Sequence, residues 1–207
     1  MNIFDLSLYK ETDLEKWINT KYKDNGIHYA SDIDIDRVAA IFDIEIRTYL
    51  GPSFADWEED EYSFIFINGY LTEEQRRDVF FHELCHPIQH VGRQAELPAP
   101  FVELQEIQAG LFQLYSAMPA YMLEEFKTIQ DRSYYLKVLS EEFVLPIRIV
   151  ERRIAQMMRR INQEKSDQEF KKRMNPSPHQ KPYMPETIQI IDQLQRQLSA
   201  KRLVTKN

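Results

Sequence analysis

The stretch Thr72-Glu73-Glu74-Gln75-Arg76-Arg77-Asp78-Val79-Phe80-Phe81-His82-Glu83-Leu84-Cys85-His86 decides how the rest of this chain is read. Thr72 and Gln75 form an S/T-x-x-Q capping box, in which each side chain satisfies a free backbone N–H, so a helix opens here. Ten residues after the cap, His82 and His86 stand four apart. On a helix that spacing projects both imidazoles from one face, where they can grip a single zinc ion. Glu83 sits beside such a metal rather than on it. From there it can take a proton from a water the metal activates and return it to a leaving amine. Phe80, Phe81, Leu84 and Ile88 are left for the core-facing side.

A metal held by two histidines needs a third protein ligand. The extended pattern H-E-x-x-H-x-x-G-x-x-H is excluded, because Gln89 and Gly92 occupy the positions where it requires Gly and His. His90 lies two turns beyond His82, about 12 Å along a straight helix. It joins the same ion only if the helix breaks, and is read as a polar residue at the rim. A carboxylate on the next helix, about Phe101–Ser116, is the better donor. Glu103 and Glu106 both qualify. Glu106 is preferred because Ala109 and Gly110 after it are small enough to let two helices approach; Glu103 is left as an exposed charge or a partner to a ligand histidine. Cys85 points roughly a quarter turn from each histidine and is read as a small buried thiol and not a ligand. Pro87 removes a helix hydrogen bond and disfavours helical geometry at His86, so the helix is expected to kink or finish there.

Working outward, the expected elements before the motif are a short helix around Leu14–Ile18 and another over Ile35–Phe42. Strands are expected at Ile27–Ala30, Ile44–Tyr49 and Ser63–Asn68. After Pro119 the chain reads as helical pieces to Asn162. Residues 165–185, with four prolines, read as a mobile linker. A final amphipathic helix, Glu186–Leu198, aligns Ile188, Ile191, Leu194 and Leu198. The fold class is therefore α+β and zincin-like: a small sheet packed against the His82/His86 helix and a second ligand-bearing helix, with a helical C-terminal part. Three regions are expected, 1–119 for the metal site, 120–164 as a helical subdomain, and 165–207 as linker and last helix.

Composition narrows the setting. The 207 residues are 43% hydrophobic and 12% aromatic, enough for a real core. No apolar run reaches membrane-spanning length, and Met1–Asp5 has no basic-then-apolar leader. With Cys85 the only cysteine, an internal disulfide and an all-cysteine metal site are both excluded, and a reducing cytoplasm is expected. The net charge of −7 conceals 14 acidic and 6 basic side chains in residues 1–60 against 6 and 14 in residues 145–207. This asymmetry reads first as solvated faces, and second as a basic end that meets an acidic partner. Residues 140–160 have a helix-turn-helix flavour, with Pro146 at the turn. Yet Val150, Ile154, Met157 and Ile161 form a core-like face, so DNA contact is the lesser reading.

Arg76–His86, then Glu106-Ile107-Gln108-Ala109-Gly110-Leu111-Phe112 and the Met118-Pro119 turn, together resemble the ImmA/IrrE family of metallopeptidases. Leu139–Phe143 and Arg152-Arg153-Ile154 resemble that family's later helical segment. The match covers roughly residues 60–155. The resemblance implies His82, His86 and Glu106 as zinc ligands and Glu83 as catalytic base. It also implies cleavage of a helix-turn-helix repressor, releasing prophage, mobile-element or stress genes. Cys85 stands where relatives carry Gly, and Gly110 where they carry Asn. A competing expectation is a binding protein that captures a repressor without cutting it, its zinc closed by a fourth ligand such as His90 or Glu103.

Overall fold

A computed structural model describes residues 6–58, 61–91, 97–174 and 184–204. The chain forms two units, residues 1–164 and 165–207. The first begins with α1 (Asp13–Asp24), opened by a Thr12–Glu15 capping box, and α2 (Ile35–Ile41), capped by Asp34. Three strands follow, β1 (Glu45–Tyr49), β2 (Phe54–Glu58) and β3 (Tyr62–Asn68). Next come α3 (Glu73–Glu83), α4 (Cys85–Gln89) and α5 (Ala99–Ala117), a 3-10 segment Ala120–Phe126, then α6 (Arg132–Glu142) and α7 (Ile147–Met174).

The sheet is mixed, in the order β1-β3-β2, with β1 parallel and β2 antiparallel to β3. The loop from β1 to β2 must step across the end of β3. Asn68 pins it there, donating its side-chain amide to Gly51 O and its backbone N–H to Ser53 Oγ, both at 2.9 Å. On the inner face Ile65 and Ile67 are fully buried, and α3 packs against β3, α2 against β1 and α4 against β2. This is the α+β, zincin-like arrangement the sequence predicts.

Two strand assignments change. Ile27–Ala30 is not a strand. The Asp32 carboxylate accepts from the His28 and Tyr29 N–H groups at 2.9 Å, and Ala30–Asp32 winds into a 3-10 turn. A side chain that satisfies backbone donors locally competes with sheet pairing. β2 was not expected, because Phe54-Ala55-Asp56-Trp57-Glu58 mixes strand-favouring aromatics with residues depleted in strands. Its antiparallel pairing with β3 supplies what local propensity lacks.

The capping box opens α3 as predicted: Thr72 N–H donates to Gln75 Oε1 at 3.1 Å, and Gln75 N–H to Thr72 Oγ1 at 3.4 Å. The break near Pro87 falls earlier than expected. α3 stops at Glu83, Leu84 keeps right-handed angles (φ −56°, ψ −30°), and His86 is helical inside α4. Pro87 offers no N–H to the Glu83 carbonyl four residues back, and its ring crowds that carbonyl, so the bend lies between the two helices.

α5 is tied to α3 through Gln113, which donates to Asp78 O at 2.8 Å and Asp78 Oδ1 at 2.6 Å. Arg148 adds an ion pair to the same carboxylate. Ala109 is fully buried where the helices meet, whereas Gly110 is only partly buried and faces Arg152. Of the two small residues, Ala109 is the one in the core. α6 and α7 bury Leu136, Leu139, Val150, Ile154 and Met157 in the core. Arg153, wholly buried, donates to Met118 O at 3.0 Å and to Glu15 at 2.9 Å, joining α7, the end of α5 and α1.

α7 continues as helix to Met174, through residues assigned to the linker, while 175–183 lie outside the described residues. In the second unit, α8 (Pro185–Val204) exposes Ile188, Ile190 and Leu194 and half-buries Ile191. The Leu198 side chain is outside the described residues. Among the described residues no helix is long and apolar enough to cross a membrane.

Candidate metal centre

His82 leaves the last turn of α3, His86 the first turn of α4, and Glu106 the middle of α5. The Gln113–Asp78 clamp fixes the relation of α3 to α5, so the three side chains converge from separate segments. His82 Nε2 lies 3.1 Å from Glu106 Oε2, and His86 Nε2 lies 3.7 Å from Glu106 Oε1. One donor atom from each falls within 4.8 Å of the others. Donors on a tetrahedral zinc, at bonds of roughly 2.0–2.2 Å, stand roughly 3.3–3.5 Å apart. Two imidazole nitrogens and a carboxylate oxygen within 4.8 Å of one another are a donor set that could hold such an ion, and no fourth His, Cys, Asp or Glu joins the group among the described residues.

Burial differs across the site. The His86 side chain is 5% exposed, His82 27% and Glu106 44%, so the cluster opens to solvent on the α5 side. Burial holds the His86 pKa down at about 4, despite the favourable charge of Glu106. His86 is therefore neutral at physiological pH, the form that binds metal. The Trp57 ring stacks on the His86 ring, centroids 6.1 Å apart and 21° from parallel.

Glu83 does not join the donor cluster. It turns towards the edge strand, where Ala55 N–H donates to its Oε2 at 3.1 Å. Burial, and then the neighbouring Glu106 charge, push its pKa up to about 7, with the Ala55 hydrogen bond opposing. A carboxyl near neutrality can both take and return a proton at cellular pH.

The other candidates separate cleanly. Glu103 is exposed and outside the cluster. Cys85 is 1% exposed, and burial pushes its thiol up to about 12, so it is an inert core residue. His90 is not a rim residue: it is 6% exposed, with Nδ1 at 3.0 Å from His86 Nδ1 and Nε2 at 3.2 Å from Gln108 Oε1. It reaches the site through His86, four residues back, by the same spacing that sets His82 beside His86. Trp57, Ala55 and Gln108 are the neighbours that sequence reading missed. Trp57 and Ala55 belong to the unexpected strand β2; for Gln108 the only available signal was its place two residues after Glu106.

A family model described as the IrrE N-terminal-like domain (Peptidase_M78) matches residues 40–155. The chain is 30% identical over 161 residues to the phage-like element PBSX protein XkdA of Bacillus subtilis (strain 168), covering 78% of this chain and 79% of that one. It is 25% identical over 155 residues to the uncharacterized protein YqaB of the same organism, covering 75% and 90%. The chain belongs to the IrrE N-terminal-like family of metallopeptidases.

Proposed function

We propose that this family member is a cytoplasmic zinc-dependent endopeptidase that cleaves a helix-turn-helix transcriptional repressor. The observation that carries the reading is the convergence of His82, His86 and Glu106 with Glu83 alongside. In this reading the three hold zinc, which when bound supplies Lewis-acid activation of water and of the scissile carbonyl. Glu83 is the general base. Its Oε2 is anchored on Ala55 N–H, which leaves Oε1 to accept a proton and deliver it to the leaving amine. Trp57 and the buried surroundings of His86 keep that ligand neutral and fixed. The repressor as substrate rests on the family resemblance and on the name of XkdA, a protein of a phage-like element.

A non-cleaving, repressor-capturing protein with a closed zinc site is the alternative. Against it stands the engagement of His90, whose two ring nitrogens face His86 Nδ1 and Gln108 Oε1 and not the side of His86 that meets Glu106. Glu103 is likewise outside it. Incubation with the repressor encoded beside the gene, followed by mass mapping, tests the choice. The expected result is discrete fragments with wild type and none with Glu83→Gln, each protein holding one equivalent of zinc. Equal cleavage by Glu83→Gln would remove Glu83 as base, and binding without fragments would favour capture.

A further inference from the structure

Resting on the reading of His82, His86 and Glu106 as a metal site, we propose that His90 and Gln108 are positioning residues. They hold His86 in the tautomer whose Nε2 turns its lone pair towards the metal. His86 and His90 are both buried, 4% and 6% exposed, with their Nδ1 atoms 3.0 Å apart. Two ring nitrogens at that distance, away from water, need one proton between them. Two bare lone pairs would repel, and two N–H groups would clash.

The far end of the chain decides which ring carries that proton. His90 Nε2 lies 3.2 Å from Gln108 Oε1, and an amide oxygen only accepts. His90 therefore carries its hydrogen on Nε2 and presents a bare Nδ1. His86 donates to it from Nδ1, and its own Nε2 keeps a lone pair on the side facing Glu106, 3.7 Å away. A hydrogen bond from the second nitrogen of a ligand histidine is a general means of fixing its tautomer and raising its basicity. Here the acceptor is another histidine, and its own polarity is set by a helix that also supplies a ligand. Gln108 is two residues beyond Glu106 on α5, so one helix places the carboxylate and orients the imidazole of α4. His90 stands four residues after His86, at the end of α4, and its backbone N–H still donates to His86 O at 3.0 Å, so helical spacing itself puts the two rings side by side. With the Gln108 amide turned the other way, every polarity would reverse and His86 would carry its proton on Nε2.

Long-range 1H–15N spectra of the 15N-labelled, metal-free full chain distinguish the two arrangements, with His86 signals identified from a His86→Asn sample. The expected result is His86 protonated on Nδ1, the opposite of the Nε2–H form that free imidazole side chains favour. His90→Phe keeps the volume and removes the acceptor. It should return His86 to the Nε2–H form and weaken zinc about 10- to 100-fold in chelator competition. His90→Asn, whose Oδ1 stands in for the lost Nδ1, should bind zinc within a few-fold of wild type. If His90→Phe does not fold, Gln108→Leu at its exposed position carries the same two readouts. Nε2–H on wild-type His86, or unchanged zinc affinity in a folded His90→Phe, would overturn the relay; so would a His90→Asn variant as weak as His90→Phe. A wild-type chain with Nδ1–H on His86 that takes up no zinc would instead sink the metal reading and leave the relay standing.

Discussion

The backbone N–H of Ala55 donates to Glu83 Oε2 over 3.1 Å, so the edge strand of the sheet, and not the helix that carries Glu83, sets where its carboxylate points. Ala55 pairs with Ile65 in the ladder while directing its own N–H outwards. An outward N–H on an edge strand can be removed without breaking a ladder bond.

Ala55→Pro should therefore leave the sheet intact while freeing Glu83. The Ala55 hydrogen bond lowers the Glu83 pKa, so its loss moves the acid limb of the cleavage profile to higher pH. The expected result is that upward shift in kcat/KM with zinc content unchanged. A profile superimposable on wild type would show that Ala55 does not govern Glu83.

Glu83 should also make the metal-free protein sensitive to pH. Its folded pKa of about 7 exceeds the ordinary 4.5, so its contribution is fully present below about 4.5 and is lost as pH rises through about 7. Glu83→Gln removes this loss. In metal-free samples it should unfold at a higher urea concentration than wild type at pH 8 and at a similar one at pH 5. The difference is on the order of 2 kcal/mol for a partly solvated carboxyl. Equal midpoints at pH 8 would refute the prediction.

Glu106→Gln keeps size but removes the charge and one good donor oxygen. Zinc bound after dialysis against a weak chelator should drop well below one equivalent, while Glu103→Gln should retain it. The reverse result would move the third ligand by one turn of α5.

Arg153 and Glu15 form an ion pair with side chains 1% and 2% exposed, and Arg153 also donates to Gln156 at 2.7 Å. Arg153→Met would strand Glu15, and breaking a buried pair from one side costs about 3–5 kcal/mol. Burial raises the Glu15 pKa, but Arg153, Tyr9 and Thr12 outweigh it and hold it below the usual carboxylate range. The pair's contribution is thus present above the unfolded pKa and lost as pH falls through the folded one. Chemical denaturation at pH 7 should show the full loss. A double variant with Glu15→Gln should lose less than the two single losses added.

Residue order alone pointed to His82, His86 and Glu106 and to the helix that opens after Thr72. The Thr72–Gln75 box, the four-residue spacing of His82 and His86 and the apolar Phe80-Phe81 pair are local signals, and each acts over one or two turns. Glu106 was legible because it lies in a helical stretch with the small residue Ala109 after it. What only the tertiary structure decided is how those pieces face one another. Pro87 announced a bend, but its position at Leu84, the burial of His90 and its contact with Gln108 depend on how α4 packs against β2 and α5. β2 itself draws its stability from pairing with β3, so Ala55 and Trp57 could not be assigned to the site from their own neighbours in sequence. Spacing along a helix places side chains within a turn or two; the contacts that orient them cross between elements distant in the chain.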